Sequence, residues 1–134
     1  MIKVLVSGAS GAMGEVLIGL IRKSKDFTIS GGFSKEEIEY EDFKVYNNIE
    51  KIQEKSDVII DFSSKDSLNP LLTYATKNKI PLVLASTGYD EKDLENIKKA
   101  SEEIPIIQTG NYSLGVNVRF MYQKFWQTYW KDLI

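Results

Sequence analysis

The fold of this chain is decided by its opening stretch, IKVLVSGASGAMG, which spans residues 2–14. A run of strand-forming residues there ends in three glycines spaced three apart, Gly8, Gly11 and Gly14. The next ten residues, 15–24, carry apolar side chains at helical spacing, so the pattern predicts a strand, a tight turn and a helix. Glycine suits such a turn because the backbone must adopt positive φ and approach a ligand without an intervening Cβ.

The same stretch predicts a binding site for a phosphate or pyrophosphate. A turn of this kind directs free backbone N–H groups and the positive end of the helix dipole to one spot. Its G-x-x-G-x-x-G spacing is a variant of the dinucleotide fingerprint G-x-G-x-x-G. Glycine-rich turns also occur without a ligand, but the position between a strand and a helix favours nucleotide binding.

Composition narrows the class of protein. A chain of 134 residues with 43% hydrophobic residues is long and apolar enough to form one domain with a core. Its 17 basic and 19 acidic residues give no electrostatic footprint for nucleic acid or an acidic membrane. No apolar run approaches about 18 residues and no charged-then-apolar leader opens the chain, so we expect neither a membrane span nor a signal peptide. A cytoplasmic protein is predicted.

Two residue types are absent from the sequence, cysteine and histidine. Without cysteine there is no disulfide framework, thiolate metal site or thiol nucleophile. Without histidine the usual acid or base for neutral pH and the commonest metal ligand are missing. We therefore predict no metal site within the chain. The chemistry must come from a bound cofactor, from lysine, tyrosine or carboxylates, or from another domain.

The rest of the chain alternates predicted strands with predicted helices. Further strands are expected at residues 27–33, 57–62, 80–85 and 104–107, and helical stretches at 48–56, 70–78 and 91–102. Asn69 is expected to cap the second of these helices, with Pro70 in its first position, and Asp90 to cap the third. The alternation predicts an α/β fold, a Rossmann-like doubly wound parallel sheet covered on both faces.

Ligands in such sheets bind at the carboxyl ends of the strands. The loops expected at that edge are residues 8–14, 34–35, 62–63, 86–88 and 109–113. Ser34 and Lys35 lie about twenty residues past the glycines, where a dinucleotide fold contacts the adenosine ribose. A hydroxyl and a cation suit a 2′-phosphate at least as well as a free 2′-hydroxyl. The alternative is a solvated turn in front of an acidic loop at 36–42.

The last part of the chain changes character. Residues 118–134 are rich in aromatic side chains at helical spacing, which predicts a core-packing helix. Trp126 and Trp130, four residues apart, could form a stripe for a partner or a missing domain. The predicted organisation is a dinucleotide-binding domain over residues 1–117, followed by an aromatic helix over residues 118–134.

Four segments, in order and at compatible spacings, carry a resemblance to a known family: Gly8–Gly14, Asp61–Ser63, Thr87–Gly88 and Asn111–Asn117. They are similar to the segments G-x-x-G-x-M-G, D-F-[ST], G-T-T-G and N-[FM]-S-x-G-[VI]-N of the cofactor domain of the 4-hydroxy-tetrahydrodipicolinate reductase family. The first segment alone is a weak signal, whereas the last is specific. The resemblance covers essentially the whole chain.

The resemblance implies a two-domain, NAD(P)H-dependent reductase of lysine and diaminopimelate biosynthesis. Such an enzyme transfers hydride to a cyclic imine or enamine dicarboxylate. The implied contacts of the cofactor, NADPH or NADH, are Gly8, Ala9, Ser10, Gly11, Ala12 and Met13 for the pyrophosphate, Ser34 and Lys35 for the adenosine ribose, and Phe62, Ser63, Ser86, Thr87, Gly88, Thr109, Gly110, Asn111 and Tyr112 for the nicotinamide half. Residues 111–117 would cross toward the substrate domain.

The chain departs from the family pattern at three points. Ala85-Ser86 replaces the usual Gly-Thr, which keeps a hydroxyl. Ser34 stands where the family often has an acid, which leaves the choice between NADH and NADPH open. The chain stops at Ile134, before the family's His-His-x-x-x-Lys and Lys-x-Asp-Ala-Pro-Ser-Gly-Thr segments, which hold and protonate the substrate.

We therefore interpret the chain as the cofactor half of the enzyme, either a fragment or a truncated product. It is expected to bind NAD(P)H without turning over substrate. The expected partners are a small-molecule substrate, held by the absent domain, and in a homo-oligomer another copy of the chain. Neither nucleic acid nor a membrane is expected.

Two other functions fit part of the same pattern. One is a non-catalytic nucleotide-binding or redox-sensing module, which would need no proton donor. The other is half of a different two-domain dehydrogenase, such as homoserine or aspartate-semialdehyde dehydrogenase. The segment Asn111–Asn117 discriminates among the three and favours the reductase.

Overall fold

The opening stretch of the sequence forms the middle of a sheet in the computed structural model, which describes residues 1–86 and 88–108. In these ranges the sheet has seven strands, β1 (Ile2–Ser7), β2 (Phe27–Phe33), β3 (Ile38–Glu39), β4 (Lys44–Tyr46), β5 (Val58–Asp61), β6 (Leu82–Leu84) and β7 (Ile106–Gln108). The α-helices there are α1 (Ala12–Lys23), α2 (Leu68–Asn78) and α3 (Glu91–Ser101). The later strands are close to their predicted positions, and the α/β prediction is confirmed.

The strand order is β3-β4-β2-β1-β5-β6-β7. All neighbouring strands are parallel except β3 and β4, which form an antiparallel pair. The chain runs from β1 outward to β2 and then returns to the other side of β1 at β5. The order therefore reverses beside β1, and in open α/β sheets the crevice at such a reversal is where ligands bind.

Apolar side chains on the two faces of the sheet form two separate core clusters. Leu5 and Ile59 point to the face covered by α2 and α3, where Leu71 and Ile97 are buried. Neighbouring residues along the same strands point to the opposite face, which packs against Leu17 of α1 and its apolar neighbours. Because the middle of the sheet is buried on both faces, residues 4–6 of β1 and 58–60 of β5 are continuously apolar rather than alternating.

The start of α3 follows the prediction from sequence. The Asp90 carboxylate accepts a hydrogen bond from the Asp93 backbone N–H at 2.8 Å, and the Asp93 carboxylate accepts one from the Asp90 N–H at 3.1 Å. This reciprocal pair is a capping box, which satisfies two backbone donors that lack a partner within the helix.

The predicted start of α2 is wrong. The helix begins at Leu68, after Ser67, so Asn69 lies within the first turn and Pro70 is the third helical residue. Leu68 is buried, and including it in the helix brings its side chain into the core. Pro70 is tolerated there because the backbone N–H that proline lacks would have had no partner within the helix.

The predicted helical stretch at 48–56 is also wrong. Only a single 3₁₀ turn forms, Ile49–Lys51, with the Asn48 side chain accepting a hydrogen bond from the Glu50 N–H. Ile49 and Ile52 are buried and lie three positions apart, which matches one 3₁₀ turn. The backbone is extended from Ile52 onward.

The acidic loop expected at residues 36–42 contains the short strand β3, which pairs with β4. A bidentate ion pair joins this hairpin to α1, with the Arg22 guanidinium 2.9 and 3.1 Å from the two Asp42 carboxylate oxygens. The same guanidinium stacks over the rings of Tyr40 and Phe43. Because both partners of the ion pair are largely exposed, the pair itself contributes at most about 1 kcal/mol.

Thr87 and residues 109–134 lie outside the described residues, and with them the predicted aromatic helix and the boundary after residue 117. No helix in the described ranges is both long and apolar enough to cross a membrane. Among those same residues, no group of three or more acidic, histidine or cysteine side chains is placed to hold a metal ion.

Candidate functional site

The glycine turn after β1 is held against the end of β2. Gly8 has φ +84°, a conformation that favours glycine. Its backbone N–H donates to the Phe33 carbonyl at 2.7 Å, and the Ala9 N–H donates to the same oxygen at 3.2 Å. The Gly11 N–H closes the turn by donating to the Gly8 carbonyl at 3.1 Å. Hydrogen bonds within the protein therefore define the shape of the turn.

The N-terminus of α1 faces the open side of this turn. Gly11 is the capping residue, and no side chain caps the helix. The N–H groups of Ala12, Met13 and Gly14 have no acceptor within the helix, since the first turn of an α-helix lacks preceding carbonyls. Residues 10–13 are exposed to solvent. Free donors at the positive end of a helix form a site that suits an anion.

Two of the three glycines allow close backbone packing. A Cβ at Gly14 would lie 2.0 Å from the Gly8 carbonyl oxygen, so α1 crosses the turn at a distance that only glycine permits. A Cβ at Gly8 would lie 2.7 Å from the Ser63 backbone nitrogen. Gly11 differs, because a Cβ there would meet only the Gly8 oxygen at 3.4 Å. Gly11 therefore has room for a side chain that the other two glycines lack.

The loops after β5 and β6 continue the same edge of the sheet. The Phe62 N–H donates to the Ser7 carbonyl at 2.9 Å, and the Ala85 N–H donates to the Asp61 carbonyl at 2.9 Å. The Ser86 hydroxyl donates to the Ser63 carbonyl, which joins the two loops. Phe62 and Ser63 thus lie between the glycine turn and Ser86, as expected for one continuous site.

Ser34 and Lys35 follow β2 at this edge, next to the carbonyl that holds the glycine turn. Ser34 is buried, and its hydroxyl donates to the Glu36 carbonyl at 2.6 Å. The Ser34 proton is therefore used within the turn, and the residue forms part of the wall. Lys35 is exposed and makes no ion pair with any described residue. Of the two, Lys35 is the side chain free to meet a charged ligand.

A polar cluster lies at the base of these loops, and we call it the Asp61 cluster. It consists of the buried residues Ser7 and Asp61 and the half-buried residues Ser63, Ser86 and Tyr89. Asp61 is only 1% exposed and lies opposite Ser7 in the β1–β5 register. Its Oδ1 accepts hydrogen bonds from the Ser63 N–H at 3.0 Å and the Ser63 hydroxyl at 2.5 Å. Burial raises the pKa of Asp61, while the bonds from Ser63 and the nearby Ser7 hydroxyl oppose that rise.

Three polar atoms of the Asp61 cluster make no hydrogen bond to any described residue: Ser7 Oγ, Asp61 Oδ2 and the Tyr89 hydroxyl. Ser7 Oγ affects the pKa of Asp61 but does not meet the geometry of a hydrogen bond. Burial and the nearby charge of Asp61 raise the pKa of Tyr89 to about 12. Tyr89 therefore stays neutral near pH 7 and keeps its proton available for donation.

Two members of this cluster, Ser63 and Ser86, were predicted from sequence as cofactor contacts, whereas Ser7, Asp61 and Tyr89 were not. A signal for two of these was present, because Ser7 and Asp61 are single polar residues that directly follow the apolar runs 4–6 and 58–60. Tyr89 carried none, since a tyrosine after Gly88 is typical of an ordinary loop.

Asp61→Asn is expected to change the pH dependence of stability. The folded state holds the Asp61 proton more tightly than the unfolded chain does. The stability of the parent therefore falls as pH rises from the pKa of Asp61 in the unfolded chain through its higher pKa in the folded protein. Above both pKa values Asp61 is charged in both states, and the cost of burying that charge remains. Asparagine does not titrate, so the free energy of unfolding of Asp61→Asn relative to the parent should improve as pH rises above about 4, the ordinary pKa of an aspartate. Urea unfolding at a series of pH values measures this difference.

Asp90→Asn is the matched control, because hydrogen bonding from the Asp93 N–H lowers the pKa of Asp90. Its relative stability should move the opposite way, with the aspartate favoured more as pH rises. A difference for Asp61→Asn that is constant across pH would show that Asp61 titrates alike in both states.

The structure brings together four of the five loops that were expected to bind the cofactor. In order along the carboxyl edge of the sheet, these loops are residues 34–35 after β2, 8–13 after β1, 62–63 after β5 and the described residues of 86–88 after β6. Gly88 is exposed with φ +87°. The remaining candidates, Thr87, Thr109, Gly110, Asn111 and Tyr112, lie outside the described residues.

Comparison with known proteins identifies the family. The model of the family described as dihydrodipicolinate reductase, N-terminus, matches residues 2–112. The chain belongs to this family. A 4-hydroxy-tetrahydrodipicolinate reductase of Caldanaerobacter subterraneus subsp. tengcongensis is 39% identical over 118 residues, and one of Clostridium tetani is 36% identical over 118 residues. These alignments cover 88% of this chain but only 47% and 46% of the relatives.

Solved structures agree on the fold. A dihydrodipicolinate reductase from Paenisporosarcina sp. TG-14, with dipicolinate bound, superposes with a TM-score of 0.74 at 17% identity, covering 96% of this chain and 54% of that one. An oxidoreductase from Agrobacterium radiobacter, in complex with NAD+, L-tartaric acid and magnesium, gives a TM-score of 0.61 at 13% identity, covering 80% and 34%. The chain thus spans about half the length of the reductases it matches.

Proposed function

We propose that this chain is the cofactor-binding half of a 4-hydroxy-tetrahydrodipicolinate reductase and that NADPH or NADH binds along the carboxyl edge of its sheet. The observation that carries the proposal is the glycine turn. It lies where the strand order reverses and exposes the uncapped N-terminus of α1. Membership of the family supports the choice of reductase over the two alternatives.

The proposed placement of the cofactor follows the order of the loops. The pyrophosphate would lie along residues 8–13 and accept hydrogen bonds from the free N–H groups of Ala12 and Met13. The adenosine ribose would lie against Lys35 and the wall formed by Ser34. The nicotinamide half would extend over Phe62, Ser63 and the loop after β6, toward residues 109–112.

Hydride reduction is the chemistry that a bound nicotinamide supplies, and the protein contributes binding and orientation. We propose a cyclic imine or enamine dicarboxylate as the substrate of the full-length reductase. Its binding and protonation would be performed by the half of the relatives that this chain does not match. Residues 1–117 would form the cofactor domain, and residues 118–134 would lead toward the substrate domain.

Titration with reduced nicotinamide nucleotides tests the proposal. NADH or NADPH should bind with one saturable site per chain, measured by the change in nicotinamide fluorescence or by calorimetry. ADP-ribose should compete, because it presents the same pyrophosphate and ribose, whereas riboflavin should not. Absence of saturable binding of both nucleotides would overturn the proposal.

Lys35→Ala is expected to weaken NADPH binding about tenfold and to leave the affinity for NADH nearly unchanged. The exposed ammonium group would make a charge-assisted contact with the 2′-phosphate that contributes about 1–2 kcal/mol. Lys98→Ala is the control, because it removes an equivalent exposed charge from the last turn of α3, at the opposite edge of the sheet. Equal losses for both nucleotides would show that Lys35 does not contact the 2′ position.

A further inference from the structure

We propose that Asp61 is a positioning residue for the nicotinamide side of the cofactor site. As a hydrogen-bond acceptor it would fix Ser63, and through Ser63 it would hold the loop after β5 between the glycine turn and Ser86. The inference rests on the proposed binding of a dinucleotide at this edge, and it adds a role for a side chain that the ligand does not touch.

The backbone of Asp61 is held on both sides. Asp61 is the last residue of β5, and it pairs with Ser7 of β1 on one side and Leu84 of β6 on the other. The Asp61 carbonyl also accepts the N–H of Ala85 at 2.9 Å. A carboxyl group on so constrained a strand end, 1% exposed, has little freedom to change direction.

The carboxyl group in turn holds Ser63. A single oxygen, Asp61 Oδ1, accepts both the backbone N–H and the hydroxyl of Ser63. The hydroxyl could instead donate to the Ser64 carbonyl, but at 3.4 Å that contact is much longer. An acceptor two residues before the N–H forms an Asx turn, which sets the direction in which the chain leaves the strand.

Ser63 is the point where three parts of the site meet. Its backbone nitrogen lies at the position that leaves no space for a Cβ at Gly8, and its carbonyl accepts the hydroxyl of Ser86. A change in the direction of the loop at Ser63 would therefore alter its link to the loop after β6. The glycine turn would keep its shape, because the Gly8 and Ala9 N–H groups hold it to the Phe33 carbonyl. Phe62 lies in the same loop as Ser63 and would move with it.

The presence of a carboxyl group at position 61 is not explained by the stability of the core. Asp61 Oδ2 and Ser7 Oγ are buried and make no hydrogen bond to any described residue. Buried polar atoms without partners carry a desolvation cost, and an apolar side chain at position 61 would avoid it. What an apolar side chain could not supply is the acceptor for Ser63.

The test compares Asp61→Ala with Asp61→Asn and measures two ligands. Asparagine keeps an oxygen that can accept both bonds from Ser63, whereas alanine removes it. Asp61→Ala should weaken NADH binding about tenfold, because the freed loop must be ordered when the nicotinamide side binds, and change ADP-ribose binding less than twofold. Asp61→Asn should bind both ligands like the parent. Two outcomes would overturn the positioning role. One is an equal loss of affinity for NADH and ADP-ribose in Asp61→Ala. The other is a loss of NADH affinity in Asp61→Asn that equals the loss in Asp61→Ala.

A measurement without ligand separates this inference from the proposed function. Amide hydrogen exchange at residues 62–64 should be faster in Asp61→Ala than in the parent, and unchanged in Asp61→Asn. Equal exchange in all three proteins would overturn the inference even if NADH binds. Failure of the parent to bind either NADH or NADPH would overturn the proposed function, while faster exchange in Asp61→Ala would still show that Asp61 holds the loop after β5. If Asp61→Ala does not fold, Ser63→Ala removes one of the two bonds and should show the same local change in exchange.

Discussion

Gly14→Ala is expected to destabilise the protein by about 3 kcal/mol or more, although alanine normally favours a helix over glycine by about 1 kcal/mol. The added Cβ would lie 2.0 Å from the Gly8 carbonyl oxygen and 2.8 Å from its carbon. Both are backbone atoms, so no change of side-chain rotamer relieves the contact. Either α1 must move away from the turn or the turn must open. Urea unfolding measures the loss.

Gly19→Ala is the matched control in the same helix. A Cβ at Gly19 meets nothing within 4 Å, so this substitution should stabilise the protein by about 0.5–1 kcal/mol. If Gly14→Ala were as stable as Gly19→Ala, the close crossing of α1 over the glycine turn would be wrong.

Gly11→Val is expected to weaken binding of NADH and NADPH about a hundredfold, which corresponds to about 2.7 kcal/mol. Its backbone, at φ −80° and ψ 166°, is extended and open to any residue. The nearest atom to an added Cβ is 3.4 Å away, so the fold should tolerate the change. The valine side chain would instead occupy space at the open N-terminus of α1, where we place the pyrophosphate. Nucleotide titration measures the loss, and thermal unfolding shows whether the fold is intact.

Gly11→Ala should give an intermediate loss, because its single methyl group occupies less of the same space. The valine at this capping position should cost about 1 kcal/mol of stability at most. Unchanged NADH affinity in a folded Gly11→Val protein would exclude the turn as the pyrophosphate site. Together with Gly14→Ala, these variants separate the glycine that serves packing from the glycine that leaves room for a ligand.

The parts of the fold that sequence predicted are those specified by local pattern. β1 and β5 were predicted because their apolar runs are continuous, which is typical of strands buried on both faces. Asp90 was predicted as a cap because its carboxylate and the helix it caps lie next to each other in sequence. The glycine spacing likewise fixed the turn and the start of α1 to within a few residues.

The parts that sequence missed depend on tertiary contacts. β3 and β4 are two and three residues long, and the hairpin that they form contacts α1 through the pairing of Arg22 with Asp42 and the stacking of Arg22 on two rings. No local pattern encodes such contacts. The helix α2 begins at Leu68 because the side chain of Leu68 is buried in the core. The sequence instead indicated a start at Pro70, since Asn69 followed by Pro70 is a good local signal for a cap and a first helical residue.

The candidate site divides in the same way. The glycine turn and the loops at the strand ends could be placed from the alternation of elements, since the carboxyl ends of parallel strands share one edge. The contacts among Ser7, Asp61 and Tyr89 could not be predicted in this way. They depend on the strand register that sets Ser7 opposite Asp61 and on the loop that brings Tyr89 near Asp61. Register is a property of paired strands and is invisible in either strand alone.

The reversal of strand order beside β1 also affects how the protein is made. Of the seven strands, β1 is synthesised first, and β2 can pair with one edge of β1 soon afterwards. The other edge has no partner until Val58–Asp61 has been synthesised. An unpaired apolar edge can pair with other chains, and non-local pairing slows folding. The half of the site proposed to bind the phosphates therefore finishes folding only after the chain has supplied the half proposed to bind the nicotinamide.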